Sequence, residues 1–83
     1  MLKLTLYSKK ECHLCDIAKN ELDDLGNEIA FLITEVDIEK DPEVFEKYKH
    51  LIPVIEMDGK VIFTGRIDRE KLKNAVKKKS KLL

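Results

Sequence analysis

The spacing of apolar residues changes at Cys12, and that change restricts the folds open to this chain. Leu2, Leu4 and Leu6 alternate with Lys3, Thr5 and Tyr7, the period of a strand with one buried face. From residue 14 the apolar positions recur at helical spacing, through Leu14, Ala18, Leu22 and Leu25, with Gly26 placed to end the helix in a left-handed conformation. A strand that feeds a helix and then meets another strand, here Ala30 to Ile38, builds a parallel crossover. Asp41-Pro42-Glu43 opens a second helix: the aspartate caps free N–H groups, proline tolerates the first helical position, and glutamate suits the positive end. That short helix places Val44, Phe45 and Tyr48 on one side. Asp58-Gly59 then separates two β-rich runs, Leu51 to Met57 and Val61 to Thr64, which marks a hairpin. Pro53 has no N–H for a ladder, so it belongs at the start or edge of its strand. Gly65 closes the second arm, and Asp68 caps a last helix that buries Leu72, Ala75 and Val76. The predicted fold is α/β, a four-stranded mixed sheet with three helices in the order β-α-β-α-β-β-α. Its 83 residues suffice for one modest core, so residues 1–83 are expected to form a single domain.

Cys12-His13-Leu14-Cys15 falls at the mouth of the first helix. Two cysteines three positions apart share a helical face and lie within reach of a disulfide. A helix N-terminus is electropositive and favours a thiolate over a thiol. At a free-cysteine pKa near 8.5 only about 3% of Cys12 is thiolate at neutral pH; a shift to roughly 6 makes it about 90% thiolate, for about 3.4 kcal/mol of differential stabilisation. Lys9 and Lys10 add to this field if they turn inward, and Glu11 and Asp16 oppose it if they do. Cys12 at the mouth is the expected nucleophile, and Cys15, beside Leu14 and Ala18, the sheltered partner that resolves the mixed disulfide. A zinc half-site completed by His13 and His50 is the competing reading, and inert structural thiols a third. His13 stands on the wrong side of the pair for the zinc site, because adjacent helical residues point about 100° apart.

Both cysteines of the chain sit in this one motif, which suits a reversible pair in a reducing compartment and not a secreted disulfide scaffold. No run of apolar residues is long enough for a membrane span, and the first six residues carry no cleavage-site pattern, so a soluble cytoplasmic protein without a membrane partner is expected. The 16 basic and 16 acidic residues cancel, although Glu11 to Glu46 is mostly acidic and Arg69 to Lys81 mostly basic. Lys73, Lys77 and Lys81 recur beside Leu72 and Val76 as the wet face of an amphipathic helix, so no nucleic acid partner is expected.

Leu6-Tyr7-Ser8 leading to Cys12-x-x-Cys15, Ile52-Pro53-Val54 some forty residues later, then Asp58-Gly59 and Gly65, together resemble the thioredoxin superfamily and, within it, the small glutaredoxin-like proteins. The resemblance spans Lys3 to about Val76. It implies a dithiol–disulfide oxidoreductase with Cys12 and Cys15 catalytic, and a cis Ile52-Pro53 bond lying against the sulfurs. Such a proline leaves the N–H and C=O of Ile52 free to pair with an extended peptide or with glutathione. Lys9, His13, Leu14, Ile52, Pro53, Arg66 and Asp68 are the implied substrate-binding residues. The implied partners are a disulfide-bearing protein or a glutathione mixed disulfide, reduced in turn by glutathione or by a reductase flavoprotein. No tightly bound cofactor or metal is implied, and a monomer is expected. Binding of a metal or an iron–sulfur cluster, a side line of the family, is the alternative function.

Departures from the family pattern bear on the substrate. Where many glutaredoxins carry Pro-Tyr between the cysteines, this chain has His13-Leu14. A protonated histidine there stabilises the reduced thiolate and makes the disulfide more oxidising; the other reading is a solvated side chain. The Thr-Val-Pro that helps to hold glutathione is Leu51-Ile52-Pro53, without the hydroxyl. The usual Gly-Gly followed by paired acids is Gly65-Arg66-Ile67-Asp68-Arg69. Arg66 either pairs with a substrate carboxylate or blocks the groove, and N–H groups at the start of the last helix are available to a carboxylate.

Overall fold

The computed structural model describes residues 2–81. Strand β1 (Lys3–Ser8), helix α1 (His13–Leu25), β2 (Leu32–Asp37), α2 (Pro42–Tyr48), β3 (Val54–Met57), β4 (Lys60–Thr64) and α3 (Arg69–Lys81) follow in the predicted order, with a 3-10 turn at Ile38–Lys40 ahead of α2. The strands lie in the order β2-β1-β3-β4. β1 runs parallel to β2 and antiparallel to β3, and β3 pairs antiparallel with β4, so the sheet is mixed.

The alternation along β1 divides the molecule into two cores. Leu2, Leu4 and Leu6 point to the side covered by α1 and α3, where they pack with Ala18, Leu22, Leu25, Ile55, Leu72 and Val76. Leu4, Leu6, Leu22, Leu72 and Val76 are each at most 1% exposed, and burial of each such side chain contributes roughly 1.5–3 kcal/mol. On the opposite side α2 lays Tyr48 against Ile38 and Val54, with Tyr7, Val44, Phe45 and Ile52 around them. Local signals close these elements as expected. The Asp41 carboxylate accepts the N–H groups of Glu43 and Val44, at 3.0 and 3.4 Å, and Asp68 accepts that of Lys71 at 3.1 Å. Asp58 and Gly59 both have positive φ, 50° and 87°, the backbone a tight two-residue hairpin turn requires.

Four expectations are corrected. The chain does not end α1 in a left-handed residue: Gly26 has φ −61°, and the chain tightens through Asn27 and Glu28, whose N–H groups bond to Asp24 and Leu25. Leu14 is 37% exposed, and Cys15 takes the inward position that spacing assigned to it, so the buried stripe of α1 is Cys15, Ala18, Leu22 and Leu25. β2 begins at Leu32, where its N–H first reaches the Leu2 carbonyl, and not at Ala30. As an edge strand it leaves Leu32 and Ile33 exposed. Ala75 is half-buried where full burial was expected. Helix α3 is tied by charge to α1 and to the turn after it: Arg69 Nε stands 3.2 Å from Glu21 Oε2, and Lys73 Nζ 2.9 Å from Glu28 Oε1 in that turn. The Glu21 oxygen is buried and unaligned for a hydrogen bond, so the first contact is an ion pair only. No helix among the described residues is long and apolar enough to cross a membrane.

Candidate functional site

The site gathers at the end of the sheet where β1 finishes. Glu11 takes a left-handed φ of 55° and turns the chain from the loop after β1 into α1. Cys12 is then the N-cap of α1, in extended conformation, and its sulfur accepts the N–H of Cys15 at 3.2 Å. A sulfur thus occupies the place that serine or aspartate fills at most helix starts. Cys12 and Cys15 are joined as a disulfide with Cα atoms 5.2 Å apart, inside the usual span for such bonds. Cys15 is 3% exposed, whereas Cys12 is half-buried and is the sulfur a partner can reach.

The register of the sheet brings the proline segment to the same end. Val54 pairs with Tyr7, so Ile52 and Pro53, which precede Val54, stand level with Ser8 and the cysteine loop. The Ile52-Pro53 bond is cis, as the resemblance implied, and Pro53 is buried. Gly65, with φ 71°, follows β4 and its N–H is shared between the carbonyls of Leu51 and Pro53, at 3.0 and 2.9 Å. This staple joins the proline segment to the Gly65-Arg66 turn, so Ile52, Pro53 and Arg66 are neighbours in the fold. Arg66 is exposed and makes no ion pair among the described residues.

The remaining expected residues are more dispersed. His13 is the first residue of α1 and is exposed, as is Leu14. Asp68 is engaged as the cap of α3. Lys9 lies on the other flank of β1 from Arg66: with Ser8, Lys10, Asp16, Glu35 and Asp37 it lines a cavity of about 470 Å³ toward β2. Glu35 in that cavity is paired with Lys19 at 3.2 Å, and this contact raises the lysine pKa. No three His, Cys, Asp or Glu side chains come together among the described residues in a way that would hold a metal ion.

One expectation about the platform does not hold. The N–H of Ile52 is not free; it donates to the Tyr48 carbonyl at 3.1 Å, beside the Leu51 N–H at 2.8 Å. The reason is the short loop after α2, which carries the chain back over the last helical turn and lets its end capture both donors. Tyr48 is itself held from below. Its hydroxyl donates to Glu56 Oε2 at 3.0 Å, the Tyr7 hydroxyl donates to Glu56 Oε1 at 2.9 Å, and the two rings lie 4.8 Å apart. Burial, then the bond to Glu56 and its negative charge, push the Tyr7 phenol up to about 12; burial and Glu56 raise that of Tyr48 as well. Sequence reasoning missed this cluster. Its one trace is Glu56, an acid on the face that β1 closes with Tyr7, and reading it needs the pairing of strands some fifty residues apart.

Residues 3–77 match the glutaredoxin-like domain family (DUF836). The chain is similar to glutaredoxin-like protein YDR286C homolog of Dictyostelium discoideum, 34% identical over 77 residues, which cover 86% of this chain and 71% of that protein. Among solved structures it is similar to protein XcR50 from X. campestris, with a TM-score of 0.73 at 29% identity over 89% of this chain and 95% of the other. A mutant thioredoxin from Halobacterium salinarum superposes with a TM-score of 0.72 over 93% of this chain and 73% of its own; at 16% identity that likeness concerns the fold alone.

Proposed function

The chain belongs to the glutaredoxin-like domain family of the thioredoxin superfamily, and from that premise we propose that it is a dithiol–disulfide oxidoreductase working through Cys12 and Cys15. The observation that carries this reading is the Cys12 sulfur at the N-cap of α1, bonded to the Cys15 N–H and bridged to the buried Cys15 sulfur. In the reduced protein the same N–H and the helix dipole stabilise a Cys12 thiolate. That thiolate attacks one sulfur of a substrate disulfide; a Cys12–substrate disulfide forms and one substrate thiolate leaves, to be protonated by water. Cys15, having given its proton to solvent, attacks the Cys12 sulfur, closes the protein disulfide and releases the second thiol. Two electrons have then passed from protein to substrate, and the product thiols take their protons from solvent, which has received that of Cys15.

Ile52, Pro53 and Arg66 form the flank on which the substrate chain rests, and exposed Leu14 and Leu51 supply apolar contact beside it. Glutathione or a reductase flavoprotein returns the pair to the dithiol, in a reducing cytoplasmic setting. The test uses pre-reduced protein and a small disulfide. Cys12→Ser is expected to abolish reduction, and Cys15→Ser to accumulate a mixed disulfide visible by mass spectrometry. Wild-type rates from Cys12→Ser refute the assignment.

A further inference from the structure

The cavity of about 470 Å³ beside β2 lies on the other flank of β1 from the proline segment, outside the redox groove. The pleat sets part of its lining. Leu6 pairs with Glu35 and Ser8 with Asp37, so Glu35, Ser8 and Asp37 share the sheet face that Leu6 turns toward α1. Asp16 of α1 and Lys9 and Lys10 of the cysteine loop complete it. Ser8 is 7% exposed, and its hydroxyl has no hydrogen-bond partner among the described residues. A polar group so far removed from water costs free energy until something bonds to it, and the surface that Ser8 keeps lines this cavity. The charges are unmatched in the same way. Glu35 is paired with Lys19 at 3.2 Å, but Lys9, Lys10, Asp16 and Asp37 line one space and make no ion pair among the described residues. Asp37 engages only Oδ1, which accepts the Glu39 N–H at 2.9 Å.

Two ammonium groups and two carboxylates balance, so the lining as a whole favours neither a lone anion nor a lone cation. A molecule that carries one group of each sign satisfies both halves. We propose that this cavity binds a small zwitterionic amino acid: its carboxylate accepts the Ser8 hydroxyl and meets Lys9 and Lys10, and its ammonium meets Asp16 and Asp37. The volume is of the order that small-molecule sites occupy. Binding here needs neither cysteine sulfur. The site therefore stands apart from the redox reading, and each can fail without the other.

Amide chemical-shift titration of the oxidised protein, at neutral pH and fixed ionic strength, compares four probes: glycine, 4-aminobutyrate, butyrate and butylamine. The last two each keep one charge of 4-aminobutyrate on the same carbon chain. At least one of the two amino acids is expected to bind about fivefold or more tighter than either single-charge probe, with the largest shifts at Ser8, Lys10, Asp16 and Asp37. Equal or tighter binding of butyrate or butylamine, no saturable shift with any probe, or shifts centred on Ile52 and Arg66 overturns the proposal. Variants then assign the groups. Lys10 and Asp16 are exposed, so Lys10→Gln and Asp16→Asn change charge without disturbing the core. Lys10→Gln is expected to narrow the advantage of the amino acid over butylamine, and Asp16→Asn its advantage over butyrate, each by about two- to fivefold. Ser8→Ala removes the unpartnered hydroxyl, and is expected to weaken binding several-fold while leaving urea unfolding no easier than in wild type. Affinities unchanged in all three variants refute the site.

Discussion

Tyr7→Phe is expected to take away a distinct part of this protein's dependence on alkaline pH. Folding raises the Tyr7 phenol from 10.0 to about 12, through burial first and then through its bond to Glu56. Because the folded pKa lies above the unfolded one, the protonated phenol's contribution is complete below pH 10 and is lost as the pH climbs toward 12. Two units correspond to a ceiling of about 2.7 kcal/mol. Tyr7 is only half-buried, and solvent screening brings the expected value to about 1–2 kcal/mol. For a domain of this size that is a shift in Tm of about 4–8 °C for each kcal/mol. The assay is urea unfolding of oxidised wild type and Tyr7→Phe, below pH 10 and near pH 12. Lysine titration affects both proteins and cancels in the difference. The stability gap between them is expected to shrink by the stated amount across that interval; a constant gap refutes the reasoning. With two tyrosines and no tryptophan in the chain, near-ultraviolet phenolate absorbance follows the same event directly, and a wild-type midpoint near 10 would contradict the Glu56 contact.

Two further perturbations test the frame that holds the site. Leu22→Ala empties a position that is 1% exposed between the sheet and α3, and is expected to cost about 2–5 kcal/mol in denaturant unfolding; a loss under 1 kcal/mol would place Leu22 outside the main core. Asp41→Ala removes the carboxylate that accepts the first N–H groups of α2, and is expected to cost about 1 kcal/mol, read as faster amide exchange at Glu43 and Val44 ahead of the rest of the chain.

Sequence reasoning works well here where one short segment decides the outcome. The Leu2–Leu4–Leu6 alternation, the Asp41-Pro42 start and the Asp58-Gly59 turn each act over a few residues, and each element stands where those signals put it. The cysteine pair is legible for the same reason, since its spacing alone sets its reach. What was not legible depends on register. Leu14 and Cys15 compete for one inward position, and only the direction of α1 across the sheet gives it to Cys15. The captured Ile52 donor depends on how tightly the loop after Tyr48 folds back, and the Tyr7–Glu56–Tyr48 cluster depends on β1 and β3 lying side by side. Lys9 and Arg66 both read as flanking the cysteines, yet the strand order sends them to opposite flanks.

The Gly65 N–H, split between two carbonyls of the proline segment, makes the turn before α3 and the loop after α2 a single mechanical part. Anyone transplanting substrate preference from another scaffold onto this one would have to carry residues 51–53 and 65–68 across together. Swapping either alone strands a backbone group at the mouth of the groove and misaligns the half left behind.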